Sequence, residues 1–151
     1  MPFCPRWPGL IRSAATTIAA FLPDAGVYIL NLRQHPREQI KWLELQGKVF
    51  QKLGRKDGEC VTLGNLGIAW KDLVEVSKAI EYFEQQLEIT REIGDRRSES
   101  TALWNLALAF DQLGERDEAI RWAEASLVIH EAIEDPFTPK VRAALEEWRG
   151  E

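Results

Sequence analysis

The sequence predicts an all-α chain, an antiparallel helix-hairpin solenoid finished by a C-terminal capping helix. Three observations predict it. Residues 41–80 laid over 81–120 without a gap give twelve identities in forty, the mark of a repeat whose units bury their apolar faces on one another. Each unit carries apolar and small residues at helical spacing: Leu63, Leu66, Gly67 and Trp70, then Leu103, Leu106, Ala107 and Phe110. No segment shows the polar–apolar alternation of a half-buried strand.

The elements follow in order. Residues 1–22 read as an irregular arm, with Pro2, Pro5 and Pro8 and then the nine apolar or small residues of Ala14–Leu22. That stretch includes Thr16 and Thr17 and is too short for a bilayer span. Arg12 and Pro23-Asp24 bound it, unlike a secretory signal. An arm, or the end of a truncated longer protein, fits better. Residues 23–56 read as a partial first repeat. Val27, Tyr28, Ile29 and Leu30 mark its first helix, and Pro36 opens a second running from Arg37 to about Leu53. Ile40, Trp42, Leu43 and Val49 form the apolar side of that second helix.

Residues 57–95 form the first whole unit, with a break at Val74-Glu75 and a second stripe of Ala79, Ile80, Phe83, Leu87 and Ile93. Gly94-Asp95 makes the turn to the next unit, Asp95 being an N-cap. Residues 96–134 form the second unit. Gly114 sits where a helix end needs positive φ, and Ala119, Ile120, Ala123, Leu127 and Ile129 supply the following stripe. In the last helix, 138–149, Thr138 is expected at the N-cap and Pro139 at the first turn. Val141, Leu145 and Trp148 close the final repeat, while Lys140, Arg142, Glu146, Glu147 and Arg149 face water.

The pattern resembles the tetratricopeptide repeat family. The consensus W-x2-L-G-x2-Y then A-x3-F is matched by Leu63-x2-Leu66-Gly67-x2-Trp70 with Ala79-x3-Phe83. The second unit reads Leu103-x2-Leu106-Ala107-x2-Phe110 with Ala119-x3-Ala123. The period of forty departs from the usual repeat of about 34 residues. Val74 replaces the glycine of the turn within the unit, and Ala123 replaces an aromatic. Forty-residue repeats with turns like Ile93–Glu99 are similar to those of cell-polarity scaffolds and kinesin light chains. They are more similar still to the C-terminal sensor arms of bacterial NB-ARC/STAND ATPases, whose borders Leu32–Glu44 and Ala132–Glu151 resemble. The resemblance implies a right-handed superhelix, a cytoplasmic location and a signalling or scaffolding module that binds a protein or peptide in its concave groove.

Composition narrows the function. The 151 residues are 45% hydrophobic and 28% charged, an ordinary globular mix. Nineteen Lys+Arg against 24 Asp+Glu give a net charge of −5, which argues against nucleic acid as partner. The charge is uneven, with nine basic and three acidic residues in 1–56 and ten against 21 in 57–151. Cys4 and Cys60, with His35 and His130, make no metal-ligand pattern. Gly54 and Gly58 lack the Gly-Lys-Ser/Thr of a phosphate loop, and HExxH, CxxC and GxSxG are absent. The sequence therefore predicts no enzyme, no cofactor, no metal and no membrane association.

At about 100° per residue, the first helix of each unit has a second face. It carries Val61, Gly64, Asn65, Ile68, Lys71 and Asp72 in one unit and Thr101, Trp104, Asn105, Leu108, Asp111 and Gln112 in the next. The family resemblance makes this the groove lining. The expected partner-binding set is Asn65, Ile68, Lys71, Asp72, Thr101, Trp104, Asn105, Leu108 and Gln112. Ile68, Trp104 and Leu108 are apolar where the solenoid needs no burial, and an amide such as Asn65 or Asn105 can bond both edges of a guest backbone.

Other readings stand beside these. The asparagines also suit a bridge between neighbouring helices, and Trp104 also suits packing on the adjacent helix. Arg96 and Arg97 suit a solvated turn better than a partner's carboxylate, and Cys60 is a structural thiol before a reactive one. Three functions remain: a free-standing adaptor, a sensor-arm fragment detached from a STAND ATPase, and a self-associating module. The last follows from two whole units where about three are needed for stability, and it makes a homodimer a further expected partner state.

Overall fold

A computed structural model describes residues 36–150. These residues form six α-helices: α1 (Pro36–Lys52), α2 (Lys56–Asp72), α3 (Val76–Ile93), α4 (Arg96–Gln112), α5 (Arg116–Ala132) and α6 (Thr138–Arg149). The expected arm at 1–22, the helix expected in 23–33, Cys4 and His35 lie outside the described residues. Among the described residues there is no strand.

Connections of two to five residues join the helices, and so short a link makes neighbours antiparallel. Each helix packs on the one before and the one after it, and α2 also lies beside α4. The all-α helix-hairpin solenoid read from the sequence is the fold observed, with α6 packed on α5 as its last helix.

Close approach within the first hairpin depends on two glycines. A Cβ at Gly67 would stand 2.4 Å from the Phe83 ring, and one at Gly64 would stand 2.7 Å from the Gln86 amide. No side chain fits there unless the opposing group moves. Phe83 is fully buried in a cluster with Val76, Ala79 and Leu87 of α3 and Ala102, Leu103, Leu106 and Ala109 of α4. The second hairpin reverses the volumes. Trp104 replaces Gly64 and Ser126 replaces Gln86, while Ala107 and Ala123 take the places of Gly67 and Phe83. Ser126 Oγ reaches back to donate to the Ser100 carbonyl at 2.8 Å.

Polar ties recur with the repeat. Glu99, at the start of α4, accepts from Arg91 Nε at 3.0 Å and from Arg96 Nη1 at 2.6 Å. Forty residues earlier Glu59 accepts from Gln51 Nε2 at 2.9 Å. These contacts explain one of the repeated identities, since each glutamate fastens the end of one helix to the start of the next.

Several local expectations are met and others corrected. Asp95 caps α4, its carboxylate accepting from Ser98 N–H at 3.0 Å and Ser98 Oγ at 2.6 Å. These bonds hold its carboxyl below the usual range. Thr138 is not an N-cap. It is the first residue of α6, the cap position is Phe137, and Thr138 Oγ1 donates backwards to the Asp135 carbonyl at 2.6 Å. On α1, Ile40, Leu43, Val49 and Phe50 are buried, but Trp42 is 54% exposed. Phe50 takes the inward place because it lies over Gly58, where even a Cβ would meet its ring at 2.4 Å.

The turn within each hairpin needs a left-handed residue. Gly114 supplies it at φ 80°, but Val74 holds φ 64° with a β-branched side chain, a conformation costing roughly 1–2 kcal/mol for an L-residue. Val74 is 75% exposed, so its side chain returns little by packing. Val74→Gly is expected to raise the unfolding free energy by about 1 kcal/mol, and Gly114→Val to lower it by at least as much. Urea denaturation followed by circular dichroism measures both. Unchanged midpoints would remove the strain assigned to Val74.

Candidate partner-binding face

The nine residues expected to bind a partner fall on α2 and α4, the two helices that lie side by side. Their surroundings divide them. Asn65 and Asn105 are half-buried at equivalent positions, and neither amide is hydrogen-bonded to another described residue. A helix-bridging role would require such bonds. Ile68 is 41% exposed, Lys71 is half-buried, and Asp72, Thr101 and Gln112 are exposed. Thr101 Oγ1 donates to the Arg97 carbonyl at 3.0 Å.

Trp104 and Leu108 differ from the open apolar surface expected. Trp104 is only 7% exposed, its indole stacked on Trp148 at 5.8 Å and edge-on to Phe137 at 6.1 Å. Leu108 packs against the same cluster, which includes Val141 and Leu145 of α6. The reading in which Trp104 packs within the array is the one the geometry favours. Ala107 and Ala123 belong to the same buried cluster. Only Ile68 of the three apolar residues keeps a largely open side chain.

Three of the nine residues, Thr101, Trp104 and Asn105, meet in one cleft of about 650 Å³, completed by Arg97, His130, Asp135, Pro136 and Phe137. Asn65, Ile68, Lys71, Asp72, Leu108 and Gln112 do not border it. The cleft lies between the first half of α4, the end of α5 and the α5–α6 turn. Arg97 stays solvated as expected, its side chain 72% exposed, and its Nε stands 3.3 Å from Asp135 Oδ2. Asp135 also accepts from Phe137 N–H at 2.8 Å, which fixes the turn.

His130 is the residue that sequence reasoning missed here. It is 4% exposed, and neither ring nitrogen has a hydrogen-bond partner. Asp135 Oδ1 is 3.8 Å from Nδ1, too long for a hydrogen bond. Leaving a buried polar group unpaired costs about 1–3 kcal/mol. Burial pushes the imidazole pKa down, nearby Asp135 pulls it up, and Arg97 pushes it down again. One signal was available in the sequence: in register, His130 stands where the first unit has Thr90, so it breaks the repeat at a buried position.

The remaining candidates are settled by burial. Cys60 is 2% exposed, and burial raises its thiol pKa, which keeps it protonated and unreactive. Among the described residues no group of three or more His, Cys, Asp and Glu could hold a metal ion. No described helix is long and apolar enough to cross a membrane.

Residues 58–132, both helix hairpins, match the family model for the tetratricopeptide repeat. The chain belongs to the tetratricopeptide repeat family. Solved structures agree on the fold. The apo form of RapI superposes with a TM-score of 0.77 at 17% identity, over 89% of this chain and 48% of RapI. A signal transduction ATPase with numerous domains (STAND) from Pyrococcus horikoshii, which has a tetratricopeptide repeat sensor, gives a TM-score of 0.70 at 19% identity. That match covers 76% of this chain and 18% of the other. The chain thus spans about half of the first protein and under a fifth of the second. No curated protein matches the sequence. At such identities the likeness concerns the tetratricopeptide fold alone.

The lowered pKa of His130 carries a sign. The unfolded chain protonates near the ordinary histidine value, about pH 6.5, while the folded chain resists protonation to lower pH. The unfolded state then binds more protons, so stability falls as pH drops from there through the lowered value. The melting temperature of the wild type should therefore fall more steeply below pH 6.5 than that of His130→Gln, His35 being common to both. Parallel melting curves across that window would show that burial does not perturb His130.

Proposed function

We propose that this chain is a protein–protein interaction module that receives a peptide or extended segment of a partner along the face shared by α2 and α4. The observation that carries this reading is the pair Asn65 and Asn105. Their amides repeat forty residues apart, reach solvent, and are left without hydrogen bonds inside the fold. A buried structural asparagine would be satisfied, because unpaired buried polar groups are costly. Here each amide is free to donate to a guest C=O and accept from its N–H. Ile68 supplies exposed apolar surface beside them, and Lys71, Asp72 and Gln112 supply a polar rim, the usual division of an interface into apolar centre and polar edge. Exposed Thr101 continues the face toward the cleft, while Trp104 and Leu108 pack beneath it on α6. Membership of the tetratricopeptide repeat family supports the same class of activity, without a catalytic step or a cofactor.

A second reading concerns the setting of this module. The superposition on a STAND ATPase that has a tetratricopeptide repeat sensor favours a sensor arm, in which the same face detects a signal on behalf of a nucleotide-binding domain outside these residues. A phosphate-loop ATPase frame next to this gene would favour the arm over the free-standing adaptor.

The double variant Asn65→Ala, Asn105→Ala tests the binding face. It is expected to weaken partner capture by about tenfold or more, since each amide loses two hydrogen bonds to the guest. Helicity should stay unchanged, because the amides make no internal bonds. The measurement is a quantitative pull-down against the wild type with circular dichroism on both proteins. Undiminished capture would place the binding surface elsewhere.

A further inference from the structure

We infer that the exposed side of α1 is a docking site for an amphipathic helix of a partner protein, laid antiparallel to α1 and carrying an acidic residue in its first turn. This surface is separate from the face of Asn65 and Asn105.

Along α1, Trp42, Val49 and Leu53 share one side at helical spacing, with Leu45 beside them. Trp42, Leu45 and Leu53 are each more than half exposed. The repeat shows what such a stripe holds. Forty residues on, Tyr82, Ile89 and Ile93 stand at the places of Trp42, Val49 and Leu53, and eighty on stand Trp122, Ile129 and Ile133. Tyr82 and Ile89 pack with Cys60 and Leu63 of α2, and Trp122 stacks on Phe110 of α4 at 6.4 Å. In α3 and α5 the stripe therefore receives the first helix of its own hairpin. On α1 no described helix covers it. Leu45 widens the stripe, being apolar where α3 has exposed Gln85. A contiguous apolar strip open to water marks a contact site.

Charge selects the occupant. Beside the stripe of α3 run Glu81, Glu88 and Glu92, and in register α1 has Lys41, Lys48 and Lys52. All three signs are reversed. Glu92 shows how this flank is used: its carboxylate lies 3.4 Å from Nζ of Lys56, the first residue of the helix that α3 receives. Lys52 holds the same place on α1 and calls for a carboxylate at the start of the helix docked there. The helix dipole favours an acid at that end as well. Lys48 extends the basic edge, and Lys41 is held to Glu38 at 2.8 Å. The residues before Pro36 do not repeat what α2 brings. In register, Pro23 replaces Leu63, Gly26 replaces Leu66 and Thr16 replaces Lys56, which supplies neither the leucine pair nor an acid. In a two-fold pairing of α1 with its copy, lysine edge would meet lysine edge.

Two peptides of the α2 sequence, Lys56–Asp72, serve as probes. Both carry Cys60→Ala, and one also carries Lys56→Glu. Each is titrated to millimolar concentration into the full isotope-labelled chain while the Trp42 and Trp148 indole signals are followed by NMR. The Lys56→Glu peptide is expected to shift Trp42, leave Trp148 in place and bind about fivefold more tightly than its lysine counterpart. Lys52→Glu in the protein should reverse that preference.

Leu45→Glu should abolish binding of both peptides with circular dichroism unchanged. The double asparagine variant should bind them as the wild type does. No shift of Trp42, the result if the chain's own residues before Pro36 cover it, overturns the site. So does a preference that Lys52→Glu leaves unmoved. A Trp42 signal that changes with protein concentration alone would give the face to a second copy and overturn it too.

Discussion

The whole molecule depends on how closely paired helices approach. In the first hairpin the backbone of α2 comes near enough to α3 that Gly64 and Gly67 have no room for a Cβ against Gln86 and Phe83. Phe83 then fills the centre of a core that α3 and α4 share. Interiors packed at crystal-like density transmit such constraints, so a small residue on one helix dictates a large one opposite. Two consecutive hairpins obey the same rule with opposite assignments. Glycine faces a bulky side chain in the first, and in the second a tryptophan shares its cluster with two alanines.

That exchange creates the distinctive end of the solenoid. Trp104 lies against α6, where Trp148 stacks on it, and Phe137 of the preceding turn meets its edge. Helix α6 is further held to α5 by Arg142 on Glu131 at 2.7 Å and by Arg149 on Glu124. Because α6 needs a turn of five residues to reach this position, Asp135 and Phe137 are brought over the start of α4. The cleft is the space left between that turn and Thr101, Asn105 and Arg97. A change of volume inside one hairpin thereby becomes a change in surface chemistry at its edge.

Polar groups in this chain fall into two kinds. Glu59, Glu99, Asp95 and Ser126 are used inside the fold, each bonded across a turn or between helices. Asn65, Asn105 and His130 are not used there. The two asparagines reach solvent, whereas His130 is buried unpaired, as are Trp70 Nε1, Gln86 Oε1 and Trp122 Nε1. Tetratricopeptide repeats bury only what stacking requires, so the remaining face of each first helix is free to diverge.

The sequence by itself determined the helices, their pairing and the repeat. Leu63, Leu66, Trp70 and their counterparts at 103, 106 and 110 fix which side of each helix is buried, because a 3.6-residue period leaves one apolar stripe. It also placed Asn65 and Asn105 on the opposite side, and identified Asp95 and Gly114 from local backbone chemistry. What it left open was decided by neighbours distant along the chain. Periodicity on α4 cannot register that α6 folds back over Trp104, nor that the turn at Asp135 brings a carboxylate to Arg97. It cannot register that His130 is walled in without a partner. Those facts arise from side-chain volumes meeting between helices, and only tertiary packing compares volumes across such separations.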